Sequence, residues 1–115
     1  MPNQPLILII DDDPAFLEIF GTKLSASGFR VETANGGEEG IKKVKSLHPD
    51  LILLDMQMPK MDGAETLFAL KDGNETRDVK VVFLTNLGDP WAEAQTLSKK
   101  FSKELGALGY IKKTE

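Results

Sequence analysis

Cysteine is absent from this chain of 115 residues. There is therefore no disulfide framework, no thiolate metal site and no cysteine nucleophile, which suits a reducing compartment. Long hydrophobic runs are missing too. The longest early one, Leu6 to Ile10, meets three aspartates at once, far short of the roughly 20 apolar residues of a membrane span. Nor is there a basic surplus. With 14 Lys+Arg against 18 Asp+Glu the formal net charge is −4, so nothing is available to displace counterions from phosphates, and binding of nucleic acid by bulk electrostatics is not expected. Repeats, low-complexity tracts and linkers rich in Pro, Gly or Ser are also missing. What remains is 41% hydrophobic and 28% charged, the balance of a globular domain. The expectation is one domain over residues 1–115, cytoplasmic, with no membrane contact.

Three short apolar runs stand out: Leu6 to Ile10, Leu51 to Leu54 and Val81 to Leu84. None alternates with polar residues, so each reads as a strand buried on both faces, the pattern of a parallel sheet. Weaker strands are expected around Phe29 to Ala34 and Leu108 to Lys112. Helical patterns lie between them. Asp13-Pro14 supplies an N-cap and a proline at the first helical position, Phe16, Leu17, Phe20 and Leu24 recur at helical spacing, and Gly28 closes the segment. A second helix is predicted from Gly37 to Leu47 and a third from near Gly63. A fourth starts at Asp89-Pro90, with Ala94, Leu97, Phe101 and Leu105 on one face. Strands alternating with helices predict an α/β fold, an open, doubly wound parallel sheet of five strands. In such sheets ligands gather at the carboxyl ends of the strands.

Those ends carry Asp11-Asp12-Asp13, Asp55, Thr85-Asn86 and Lys112-Lys113. Carboxylates converging from two strands repel unless a cation joins them, and a few carboxylate oxygens plus water suit Mg²⁺. Asp13, followed by Pro14, reads as a helix cap. Asp11, Asp12 and Asp55 are the candidate ligands. His48, in a His-Pro-Asp loop, reads as structural or solvated, and Trp91, in the fourth helical pattern, as core rather than interface. Met56, Met58 and Met61 read as packing for the turn beside the acidic site.

From Leu6 to Lys113 these residues resemble the receiver domain of two-component response regulators. Leu53-Leu54-Asp55-Met56-Gln57-Met58-Pro59-Lys60-Met61-Asp62-Gly63 is similar to that family's phosphoacceptor strand and turn, Asp11-Asp12 to its acidic pair, and Gly106 to Lys113 to its last strand. The resemblance implies strand order 2-1-3-4-5. It also implies that Asp55 accepts a phosphoryl group from the phosphohistidine of a histidine kinase or phosphotransfer protein. Mg²⁺ would be held by Asp11, Asp12, Asp55 and the Gln57 backbone carbonyl, with Thr85 and Lys113 on the phosphoryl oxygens. Thr85 and Tyr110 would switch a surface read by a downstream protein. Lys112 is the alternative to Lys113, which is preferred because it lies three residues after Tyr110, as in the family. The domain would not be an enzyme, beyond assisting its own phosphorylation and dephosphorylation.

The sequence departs from that pattern in places. Asn86 stands where the family usually has Ala or Gly, and Thr114 where it usually has Pro. The stretch from Thr85 to Lys113 is a turn or two longer than usual. The chain ends at Glu115, so the family's fifth helix is lacking from the expected fold. A shortened piece, or a homodimer exchanging elements to cover the exposed face, is the corresponding expectation. Two alternatives belong beside the phosphoacceptor. One is a degenerate receiver acting as a binding or assembly module. The other is a Mg²⁺-dependent phosphohydrolase with an aspartyl nucleophile after the first strand, against which Pro14-Ala15 replaces the expected Gly-Thr/Val pair. A flavin-binding protein of the same topology lacks its phosphate loop and ranks last.

Overall fold

The structure, a computed structural model, describes residues 4–85 and 107–113. Its elements follow in the order β1 (Leu6–Ile10), α1 (Pro14–Ala26), β2 (Arg30–Ala34), α2 (Gly37–Leu47), β3 (Leu51–Asp55), α3 (Gly63–Asp72), β4 (Val81–Thr85) and β5 (Gly109–Lys112). The strands form one parallel sheet in the order β2-β1-β3-β4-β5, the doubly wound topology expected from the sequence. The predicted fourth helix, with Asn86 and Trp91, lies outside the described residues, as does Thr114. No helix among the described residues is long and apolar enough to cross a membrane.

Why these segments became strands shows in their burial. All five residues of β1 are buried, and β3 and β4 are nearly so, as continuous apolar runs require. β2, at the sheet edge, alternates between exposed and half-buried positions until Ala34, which is why its signal in the sequence is weaker. Strand alternation divides the core into two layers. Leu8, Ile10, Ile52, Leu54 and Phe83 pack with Val44 of α2 and with Leu67 and Leu70 of α3. Ile7, Ile9, Leu53 and Leu84 face Phe16, Leu17, Phe20 and Leu24 of α1. Each fully buried side chain of this size contributes about 1.5–3 kcal/mol.

The helix starts close the loops at the carboxyl edge of the sheet, and the helix ends open those at its amino edge. Asp13 caps α1, its side chain accepting from the Ala15 and Phe16 N–H groups with Pro14 in the first turn. Gly28, at φ 98°, makes the left-handed turn after it. α2 ends on His48 in the left-handed region, with Pro49 preventing continuation. α3 opens with a reciprocal capping box between Asp62 and Glu65, a D-x-x-E signal that locates the helix start more sharply than its apolar spacing does.

Candidate functional site

Register brings the polar strand ends together. Ile10 pairs with Leu54, so the residues that follow, Asp11 and Asp55, leave adjacent strands side by side. Asp55 pairs with Leu84, one residue before Thr85, and Thr85 pairs with Lys112, one residue before Lys113. The backbone is pinned there: the Asp11 N–H donates to the Ala34 carbonyl at 3.1 Å, and the Lys113 N–H to the Thr85 carbonyl at 2.7 Å. Asp11, Asp55 and Thr85 are buried, whereas Asp12 is exposed. One oxygen of each of the three aspartates lies within 4.8 Å of the others.

The charges at this edge are unequal. Lys113 Nζ lies 2.6 Å from Asp11 Oδ2 and 3.3 Å from Asp55 Oδ2. Among the described residues, Asp11 Oδ2 has no aligned hydrogen-bond donor, so what answers its charge is the ion pair with Lys113. Burial, and then the neighbouring Asp11 charge, push the Asp55 carboxyl up from 3.8 to about 6, while Lys113 and the Gln57 N–H pull it the other way. Burial alone would lower the Lys113 pKa. The two carboxylates outweigh it and hold the ammonium above its ordinary value. Among the described residues, one ammonium thus pairs with Asp11 and Asp55, and Asp12 adds a third carboxyl group to the cluster. That surplus of hard oxygen donors is the donor set a divalent cation such as Mg²⁺ takes, so the residues fit the metal that the family resemblance implies.

The loop after β3 frames one side of the cluster. The Gln57 N–H reaches Asp55 Oδ1 at 3.3 Å. Gly63 starts α3 against the end of β3, where an added Cβ would sit 2.5 Å from the Asp55 carbonyl oxygen, and its N–H donates to the Met56 carbonyl at 3.0 Å. Only glycine allows that approach. Met56 and Met58 are buried and Met61 is half-buried beneath the loop. Lys60, exposed at its tip, holds φ 70°, a left-handed conformation that costs a non-glycine residue about 1 kcal/mol. Beside it, a groove of about 600 Å³ opens next to Asp12, lined also by Asn35, Glu39, Lys42 and Pro59, so the acidic cluster has an open flank.

Asp11, Asp12, Asp55 and Lys113 therefore form one cluster, and Thr85 is buried at the end of the strand beside Asp55. Tyr110 sits further back on β5, half-buried and packed on the core. His48 is exposed at the end of α2. One neighbour of the cluster was not singled out from the sequence. Lys113 Nζ lies 4.9 Å from the centroid of the Phe16 ring. Helical spacing marks Phe16 as an apolar-face residue and carries no signal for a partner almost a hundred residues away.

Comparison with known proteins adds to this geometry. The model of the response regulator receiver domain family matches residues 7–115. The DNA-binding dual master transcriptional regulator RpaA of Synechocystis is 42% identical over 85 residues, 74% of this chain and 35% of that protein. The probable transcriptional regulator ycf27 of Cyanophora paradoxa is 35% identical over 111 residues, 96% of this chain and 43% of its own length. The chain thus spans about two fifths or less of these curated relatives. Among solved structures, the chemotaxis protein CheY4 of Vibrio cholerae superposes with a TM-score of 0.83 at 27% identity, covering 97% of this chain and 88% of that one. The N-terminal domain of a response regulator receiver protein from Methanoculleus marisnigri gives 0.79 at 37% identity, covering 93% and 82%.

Proposed function

The chain belongs to the family of response regulator receiver domains, and from that premise we propose that it is a phosphoacceptor signalling module with Asp55 as the acceptor. The observation that carries this reading is the buried Asp55 carboxylate at a strand end, 3.3 Å from the Lys113 ammonium and clustered with Asp11 and Asp12. An Asp55 oxygen attacks the phosphorus of a phosphohistidine on a partner kinase or phosphotransfer protein. The P–N bond breaks, its electron pair returns to the imidazole, and an acyl phosphate forms on Asp55.

Such transfer needs an in-line nucleophile and charge neutralisation more than acid–base help. Lys113 provides a fixed positive charge at the reacting oxygens, and the Thr85 hydroxyl donates to one of them. Asp11, Asp12, Asp55 and the Gln57 backbone carbonyl would hold Mg²⁺. When bound, the ion neutralises charge on the transferring group. Thr85 and Tyr110, on neighbouring strands, would carry the change to a surface that a partner reads. Two curated relatives are named as transcriptional regulators, and by that likeness the surface would address a transcriptional output. With a net charge of −4, the domain itself is not suited to hold nucleic acid. The same reading places the module in the cytoplasm.

The test is intact mass after incubation with Mg²⁺ and acetyl phosphate. Wild type is expected to gain one phosphoryl group, dependent on Mg²⁺, and Asp55→Asn none. Folded wild type that gains nothing would leave the domain as a binding module without phosphoacceptor chemistry.

A further inference from the structure

Lys113 is a cation on a flexible four-carbon stem, yet it must present its charge at one place. The two carboxylates attract it but do not fix its direction, since Asp11 and Asp55 offer several oxygens among which an ammonium can move. The Phe16 ring is a third contact of another kind. Its centroid is 4.9 Å from Lys113 Nζ, within the roughly 6 Å at which an aromatic face attracts a cation.

The ring is itself held. It stacks on Phe20 one helical turn along, with centroids 5.2 Å apart and planes 17° from parallel. The Phe16 N–H donates to the Asp13 side chain at 3.4 Å, and the Asp13 N–H donates to Asp11 Oδ1 at 2.9 Å. A closed circuit results: Asp11 orients Asp13, Asp13 caps the turn that carries Phe16, Phe16 faces Lys113, and Lys113 returns to Asp11 at 2.6 Å. We infer that Phe16 is a positioning residue for phosphoryl transfer, its ring face holding the Lys113 ammonium at the acidic cluster. This inference rests on the phosphoacceptor reading of Asp55.

A purely structural Phe16 would fill the apolar side of α1, where it also packs. The two roles separate when the ring's charge distribution is altered at constant shape. Phosphoryl uptake from acetyl phosphate with Mg²⁺ would be timed in wild type, Phe16→Tyr, Phe16→Leu and protein carrying a ring-fluorinated phenylalanine at position 16. Fluorination empties the ring face of negative potential with little change in volume, so it tests the cation contact even if Phe16→Leu fails to fold. Phe16→Leu is expected to accept roughly three- to tenfold more slowly, from the usual strength of a partly desolvated cation–ring contact. The fluorinated ring should fall between the two, and Phe16→Tyr should stay close to wild type.

The Lys113 ε-methylene proton shifts, read in metal-free and unphosphorylated protein, provide a second measure. Ring current should displace them upfield in wild type and Phe16→Tyr, and the displacement should vanish in Phe16→Leu. Wild-type rates in both Phe16→Leu and the fluorinated protein, or ε-proton shifts unmoved by loss of the ring, would overturn the inference while leaving Asp55 as acceptor. A wild type that takes up no phosphoryl group would remove the reading beneath it, and the inference with it. That outcome is visible before any Phe16 variant is made.

Discussion

At the amino end of the sheet, Asp50 and Lys71 are engaged by backbone. The Leu6 N–H donates to Asp50 Oδ2 at 2.7 Å while the Asp50 N–H donates to the Leu6 carbonyl at 2.8 Å. Lys71 Nζ donates to the Arg77 and Val79 carbonyls at 3.0 Å each. At the carboxyl end the same residue types face one another: Asp11 and Asp55 meet Lys113, with Asp12 alongside. An acidic residue at a strand end is therefore no marker of a site by itself. What sets the carboxyl end apart is that two buried carboxylates share the Lys113 ammonium, so that burial first, and the neighbouring Asp11 charge second, raise the pKa of Asp55.

Removing a lysine from each end should sharpen that contrast most. Lys113→Met leaves Asp11 and Asp55 buried and facing each other, and breaking a buried pair costs about 3–5 kcal/mol. Lys71→Met loses only its two bonds to turn carbonyls, about 1 kcal/mol each. Urea unfolding at pH 7 without added metal would measure both. Phosphoryl uptake should fall about 100-fold or more in Lys113→Met, by analogy with removing one preorganised charge from a reacting centre, and should stay unchanged in Lys71→Met. Equal losses at the two ends would break the comparison.

The next effect concerns pH. The Asp55 carboxyl is raised from 3.8 to about 6 in the folded chain, so over that interval the folded form binds a proton that the unfolded form has released. Without metal, stability should therefore fall as pH rises from about 4 to about 6, by about 3 kcal/mol at 1.36 kcal/mol per unit, and then level off. Asp55→Asn should remove this slope and be the more stable protein at pH 7. Added Mg²⁺ should stabilise wild type at pH 7 and have little effect on the variant. Superimposable profiles for the two proteins between pH 4 and 7 would show that burial does not strain Asp55.

Most of the frame was legible because each buried strand is a continuous apolar run bounded by a polar turn. Leu6 to Ile10, Leu51 to Leu54 and Val81 to Leu84 leave no other reading in a chain this short, and Asp13-Pro14 marks its helix start directly. Strand order came from the family resemblance rather than from periodicity, which does not say which runs pair. The same holds within the site. That Asp11, Asp12 and Asp55 converge follows from strand ends sharing an edge. That the Lys113 ammonium meets both Asp11 and Asp55 depends on β5 pairing with β4 in one register. Phe16 was legible only as an apolar position. Its contact with Lys113 joins the first helix to the last strand, and no local pattern encodes a contact across that separation.

The smallest expected effect tests the amino end alone. Asp50→Ala removes the acceptor of the Leu6 N–H but leaves the backbone bond from the Asp50 N–H to the Leu6 carbonyl in place. Losing one charge-assisted bond at a part-buried position should lower stability by about 1–2 kcal/mol. Asp50→Asn, which keeps an acceptor oxygen, should recover part of that. Neither variant should alter phosphoryl uptake, because β1 and β3 remain paired from Ile7–Leu51 through Ile10–Leu54 and continue to deliver Asp11 beside Asp55. A loss of uptake in stably folded Asp50→Ala would mean that the register of those two strands depends on this one side chain. The two ends would then have to be treated as coupled, with the amino-end aspartate setting the geometry in which the carboxyl-end aspartates meet.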